Sequence, residues 1–154
     1  MKRTIGGFVL VLSLGLFLVS GVLAGESEDN LLNAAGSCNI NVMQDMLAKG
    51  ADINAPDKLQ KTALMIASER GCMKGVQLLL DKGANVNARD NLGGTALMMA
   101  AMRGSEDIVR ILLDKGADVN IRETSFLHYT ALGYAKESGN KKVVEMLTAA
   151  GAKE

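Results

Sequence analysis

The chain has 154 residues, of which 48% are hydrophobic and only 3% aromatic, and its 17 basic and 17 acidic side chains cancel. A balanced charge without a basic run offers no general attraction to the phosphates of nucleic acids. One histidine and two cysteines leave few side chains for metal or nucleophilic chemistry.

The first segment has the pattern of a secretory signal peptide. Lys2 and Arg3 precede an uncharged run of 20 residues that ends in Val-Leu-Ala at Ala24, and residues 26–29 are polar and acidic. A basic start, an apolar centre and small residues before the cut are typical of such leaders. We expect cleavage after Ala24, which leaves 15 basic and 17 acidic side chains. The run over 5–24 is also long enough to cross a bilayer, so an uncleaved membrane anchor is the alternative.

The rest of the sequence repeats. A Lys-Gly-Ala phrase followed by a polar residue, Ile or Val, and Asn has its glycine at Gly50, Gly83 and Gly116, with a truncated copy at Gly151. The intervals are 33, 33 and 35 residues, and the motif Thr-Ala-Leu upstream of the last three glycines keeps the same intervals. This period predicts stacked supersecondary units, which bury their apolar faces only against one another.

Each unit predicts two helices and a loop. In the second unit Thr62 can cap the free amides of a first helix, which is expected to end near Gly71. A second helix has apolar residues at i, i+3 and i+4 and stops at Gly83, where glycine allows a left-handed termination. Residues 85–94 are rich in turn formers and lead to the next Thr-Ala-Leu.

These units resemble the ankyrin-repeat family. The best match to the family pattern is Asp90-Asn-Leu-Gly-Gly-Thr-Ala-Leu-Met-Met-Ala-Ala-Met-Arg-Gly104, followed by Gly116-Ala-Asp-Val-Asn120. The resemblance implies an all-α fold, an ankyrin-repeat solenoid of four stacked helix-turn-helix units with hairpin-like loops. We therefore predict a signal peptide at 1–24 and a repeat domain at 25–154, with units at about 26–57, 58–90, 91–125 and 126–154.

Departures from the family pattern are also informative. The family's histidine is replaced by Met65 and Met98, which we expect to fill its space as flexible apolar side chains, and by Gly133 in the last unit. The first unit is more polar than the others, as a terminal repeat with one unpartnered face needs to be. The first and fourth units are therefore expected to cap the stack.

The two cysteines, Cys38 and Cys72, lie in adjacent units at the turn between helices. In an exported protein a disulfide here would contribute about 3–4 kcal/mol by closing a long loop. Helices pack about 8–10 Å apart whereas a disulfide needs Cα atoms within about 7 Å, so two unbonded cysteines are the alternative. Our hypothesis is a structural disulfide. A thiol-redox role is a minor alternative, because catalytic pairs usually lie two residues apart.

The sequence offers little else for chemistry. Gly93 and Gly94 fit a hairpin turn, since no lysine follows them as in a phosphate loop. The cysteines and His128 would leave a tetrahedral zinc short of ligands. We expect no enzyme activity, no cofactor and no metal.

The family resemblance implies that hairpin tips and the exposed side of the first helices bind a partner protein. On this chain the corresponding positions are Lys58, Leu59, Lys61, Asn91 and Leu92 at the tips, and Glu69, Arg70, Met102, Arg103, Glu137 and Ser138 near the first-helix ends. The third loop is two residues longer and adds Phe126, Leu127, His128 and Tyr129. These residues either anchor a partner or fold back over the last unit.

The predicted function is a non-catalytic protein-protein interaction module, exported by a bacterium to the periplasm or the medium. It is expected to be a monomer that binds an unidentified protein, without nucleic acid and without a membrane once the leader is removed. A membrane-anchored scaffold and a thiol-redox helper are the alternatives.

Overall fold

The computed structural model describes residues 28–153. The predicted signal peptide at 1–24 and the membrane-anchor alternative lie outside these residues. None of the helices within 28–153 is both long and apolar enough to cross a membrane.

Helices follow one another in pairs along the described chain. They are α1 over 28–36, α2 Ile40–Ala48, α3 Ala63–Arg70, α4 Met73–Asp81, α5 Ala96–Arg103, α6 Glu106–Asp114, α7 Ala131–Glu137 and α8 Lys141–Ala149. The first helices α3, α5 and α7 pack side by side, and the second helices α4, α6 and α8 form a parallel layer. No strand occurs between residues 28 and 153. This arrangement confirms the predicted all-α repeat solenoid.

The first helices begin at the threonines that the sequence indicated. The hydroxyl oxygens of Thr62, Thr95 and Thr130 accept hydrogen bonds from backbone N–H groups three residues on, at 3.5, 3.3 and 3.3 Å. The helices α3 and α5 end at Gly71 and Gly104, whose φ angles of 73° and 76° favour glycine. Short helices are thus delimited at both ends by local chemistry.

The core runs the length of the stack between the two helix layers. Leu64 and Leu97 on the first helices are each 1% exposed, and Val76 on α4 is fully buried. Met65 and Met98 are 1% and 2% exposed, as predicted for side chains that fill the space of the family's histidine. The core between the helix layers is therefore built mainly from aliphatic side chains and methionines.

An asparagine ladder joins the loops of successive units. In each rung an asparagine Oδ1 accepts the backbone N–H of a residue in the next unit. The three rungs run from Asn54 to Asn85, from Asn87 to Asp118 and from Asn120 to Lys153, at 2.8, 2.8 and 2.9 Å. Because one acceptor in each loop bonds one donor in the next, the ladder holds the units at a constant spacing.

A disulfide joins Cys38 and Cys72, whose Cα atoms are 5.6 Å apart. Cys38 lies in the turn after α1 with a φ of 55°, and Cys72 is the N-cap residue of α4. Both belong to turns between helices, so they approach more closely than the helix axes do. Gly75 leaves room for the pair, since a Cβ there would lie 2.9 Å from the Cys72 sulfur and 3.4 Å from Met43. The geometric objection to a disulfide is thereby removed.

Candidate functional site

An aspartate holds each of the first two hairpin tips. Asp90 Oδ1 accepts the backbone N–H groups of Leu92 at 2.9 Å and Gly94 at 2.7 Å. Asp57 Oδ1 accepts that of Leu59 at 2.8 Å. In each tip the aspartate carboxylate thus accepts backbone N–H groups of the turn. The side chains of Leu59 and Leu92 at these tips are 59% and 61% exposed.

The third hairpin is longer, and Glu123 takes the place of the aspartate. Glu123 Oε1 accepts the N–H of Tyr129 at 3.3 Å and the hydroxyl of Ser125 at 2.6 Å. The Ser125 oxygen in turn accepts the N–H of Leu127 at 3.3 Å. A longer side chain and a serine hydroxyl therefore do across this loop what Asp90 does alone in the second.

Glu123 is 5% exposed and is ionised at neutral pH. Burial alone would raise its pKa, but hydrogen bonds from Ser125, Tyr134 and the Tyr129 backbone outweigh that effect and lower the pKa below its ordinary value. The Tyr134 hydroxyl donates to Glu123 Oε2 at 2.7 Å. Burial of Tyr134 and its bond to Glu123 raise the tyrosine pKa to about 12, so Tyr134 remains a donor.

Two tyrosines pack at the base of this loop, while the side chains at its apex are exposed to solvent. The rings of Tyr129 and Tyr134 meet edge to face with centroids 5.3 Å apart, and the Tyr129 hydroxyl donates to Glu137 at 3.3 Å. Phe126 is 96% exposed and Leu127 is 59% exposed. The alternative in which these two side chains fold back over the last unit does not fit such exposure.

Backbone hydrogen bonds tie the three tips into one row. Asn91 N–H donates to the Leu59 carbonyl at 3.1 Å, and Thr124 N–H donates to the Leu92 carbonyl at 2.7 Å. The exposed apolar side chains of this row form what we call the tip ridge: Leu59, Leu92, Phe126 and Leu127. The tip ridge is therefore a row of exposed apolar side chains on loops that are hydrogen-bonded to one another.

Other predicted site residues line the inner side of the tips or lie beside them. Met102 on α5 is 46% exposed, and Lys61 pairs with Glu69 at 2.8 Å. Lys58, Arg70 and His128 are exposed as well.

Two predicted residues serve the stack itself. Arg103 Nη1 donates to the Glu69 carbonyl at 3.2 Å, and its guanidinium lies over Gly71. The Ser138 hydroxyl donates to the carbonyls of Ala101 at 3.4 Å and Ala135 at 3.1 Å. Arg103 therefore stabilises the end of α3 from the following unit, a role that its position on one helix did not indicate.

Metal or thiol chemistry finds little support in the described part of the chain. Between residues 28 and 153 no three His, Cys, Asp or Glu side chains come together as a metal site. Cys72 is 3% exposed, whereas its disulfide partner Cys38 is exposed. Both cysteines are held in one disulfide, and no free cysteine occurs in the described part of the chain.

Paired helices stacked in two layers, with bonded hairpin tips along one edge, define a helical repeat protein. A family model for ankyrin repeats, in a form of three copies, matches residues 31–123 and again residues 90–154. The chain belongs to the ankyrin-repeat family. A comparison with curated proteins gives no match. Ankyrin repeats indicate a protein-interaction module, and the family is typically non-catalytic.

Proposed function

We propose that this protein is an exported binding module that grips a partner protein with the tip ridge and the adjoining surface of its first helices. The observation that carries the proposal is Phe126, which is 96% exposed on a loop fixed at its base by Glu123. The fold gains nothing from an aromatic side chain in water. An aromatic on a rigid support loses little conformational freedom on binding, as interface anchors require.

The surroundings of the tip ridge have the mixed character of a protein interface. Exposed Met102 adds apolar surface behind it, while the Lys61–Glu69 pair and Lys58 add charge of both signs. Protein interfaces combine an apolar centre with a polar rim, whereas small-molecule sites are enclosed and mostly apolar.

Export is supported by the leader pattern at 1–24 and by the disulfide, because disulfides persist in oxidising compartments. The mass of the protein isolated from its native host tests this part. A chain that begins at Gly25 in the periplasm or medium is expected. A full-length chain in the membrane fraction would support the anchored scaffold instead.

Partner binding is tested by crosslinking a C-terminally tagged protein in intact cells of the native host. The variant Phe126→Ser with Leu92→Ser removes two side chains of the tip ridge and should lose the captured protein while its thermal unfolding is unchanged. Met73→Ser is the matched control, since Met73 is 45% exposed at the start of α4, away from the tips. If the folded tip-ridge variant captures the same protein as the control, the proposed surface is wrong.

A further inference from the structure

A hollow of about 210 Å³ lies behind the tip ridge and spans the second, third and fourth units. Three methionines of α5, Met98, Met99 and Met102, and Leu92 of the second tip give it an apolar lining. Met98 is 2% exposed and Met102 is 46% exposed, so the lining runs from the core to the surface. Methionine side chains adapt to the shape of an incoming group.

The charged side chains around this hollow are unequal in sign. Among residues 28–153, the charged side chains that line it are Glu69, Asp90 and Glu123 and one cation, Lys61. Lys61 is already paired with Glu69 at 2.8 Å. Loop N–H groups bond Asp90 Oδ1, and one N–H group and two hydroxyls bond Glu123. These hydrogen bonds do not neutralise the two negative charges. The hollow is therefore apolar in lining and negative in net charge.

We propose that the hollow receives an arginine or lysine side chain of the partner protein. This inference rests on the proposed function and names the chemistry that the partner must present. The alkyl stem of a basic side chain packs on methionines while its cation remains near Asp90 and Glu123. An acidic side chain would be repelled, and a purely apolar one would leave the negative charge of the hollow without a counter-charge. A basic side chain matches both properties.

Methyl NMR of protein labelled with ¹³C at the methionine methyl groups tests the inference without a known partner. The probes are butylguanidinium, neutral pentanol and the anion pentanoate, which have similar alkyl chains. We expect the Met99 and Met102 methyl signals to shift saturably with butylguanidinium, at least about three-fold more tightly than with pentanol, and not with pentanoate. Met146 on α8 is the internal control, since it lies outside the hollow. Equal binding of pentanol, or no saturable shift at Met102, would overturn the inference.

A charge variant adds a second measurement. Glu69→Gln removes one negative charge from the wall without touching the carboxylates that hold the loops, and should weaken butylguanidinium binding about two- to five-fold. Glu106→Gln at the exposed start of α6 should leave binding unchanged. Equal affinity of the two variants counts against the inference.

The outcome is separable from that of the proposed function. If Phe126→Ser with Leu92→Ser abolishes capture but butylguanidinium fails to bind, the interaction surface stands and the basic side chain is wrong. If butylguanidinium binds and capture is insensitive to the tip ridge, the hollow binds a basic group, but the proposed surface and the assignment of that group to the partner are wrong.

Discussion

The ring of Tyr129 lies against Gly133, and a Cβ atom added to that glycine would be 3.3 Å from the ring. The equivalent positions in the second and third units hold Met65 and Met98, which are buried. In the fourth unit the long third loop thus brings an aromatic ring over the position where a large side chain is missing. Tyr129 therefore belongs to the fold as well as to the predicted binding loop.

Tyr129 and Phe126 should differ in their contributions to stability. Tyr129→Ala removes a half-buried ring and is expected to lower the free energy of unfolding by about 1–3 kcal/mol. Phe126→Ala removes a side chain that is 96% exposed and should change it by less than about 0.5 kcal/mol. Urea denaturation of both variants checks this, and equal losses would contradict the assigned roles.

Glu123 should make stability depend on pH in the acid range. Because its pKa is lowered in the folded protein, its stabilising contribution is present above the unfolded value of 4.5 and is lost as the pH falls through the folded value. The free energy of unfolding should fall more steeply below about pH 4.5 for the wild type than for Glu123→Gln. At neutral pH the variant should be less stable by about 1–3 kcal/mol. Parallel pH curves would refute the prediction, and Glu106→Gln, at an exposed glutamate, serves as the control.

Arg103 should contribute to stability across two units. Arg103→Ala removes the bond to the Glu69 carbonyl and the cover over Gly71, and a loss of about 0.5–1.5 kcal/mol is expected. Arg70→Ala is the control at the same position of the preceding first helix and should change stability by less than about 0.5 kcal/mol. Thermal unfolding distinguishes the two. A loss at Arg103 no larger than that at Arg70 would show that the contact between units is unimportant.

The disulfide should stabilise the start of the stack. Cys38→Ser opens a loop with a sequence separation of 34 and is expected to lower the free energy of unfolding by about 3–4 kcal/mol. Non-reduced protein, unfolded and alkylated, should carry no thiol labels by intact mass, and reduced protein should carry two. Two labels before reduction would contradict the bond. Reduction should accelerate hydrogen exchange in α2 more than in α8, because repeats are stabilised by their neighbours.

Most of the fold could be predicted because its determinants are local and repeated. The first helices α3 and α5 each begin at a capping threonine such as Thr62 and end at a glycine such as Gly71, and the cap hydrogen bonds of both residues lie within the same helix. Because the period is nearly constant, each copy of these residues lies in a similar environment. The buried methionines followed from the same register.

The candidate site was less predictable because its key contacts join distant residues. Arg103 reaches a carbonyl 34 residues away, and nothing local to α5 indicates that bond. The sequence shows the two-residue insertion, but it did not predict the hydrogen bonds from Ser125 and Tyr129 of this loop to Glu123. A sequence signal was present, since the aspartate at Asp57 and Asp90 becomes glutamate in the one loop that is longer.

The asparagine ladder has a consequence for how such a chain can change in length. Every rung uses the same acceptor atom and the same type of donor, so removing or duplicating one complete unit would join a rung to an equivalent partner. The ladder amide at the new junction would keep its hydrogen bond. Recombination within the gene can therefore lengthen or shorten the row of hairpin tips while the ladder stays continuous.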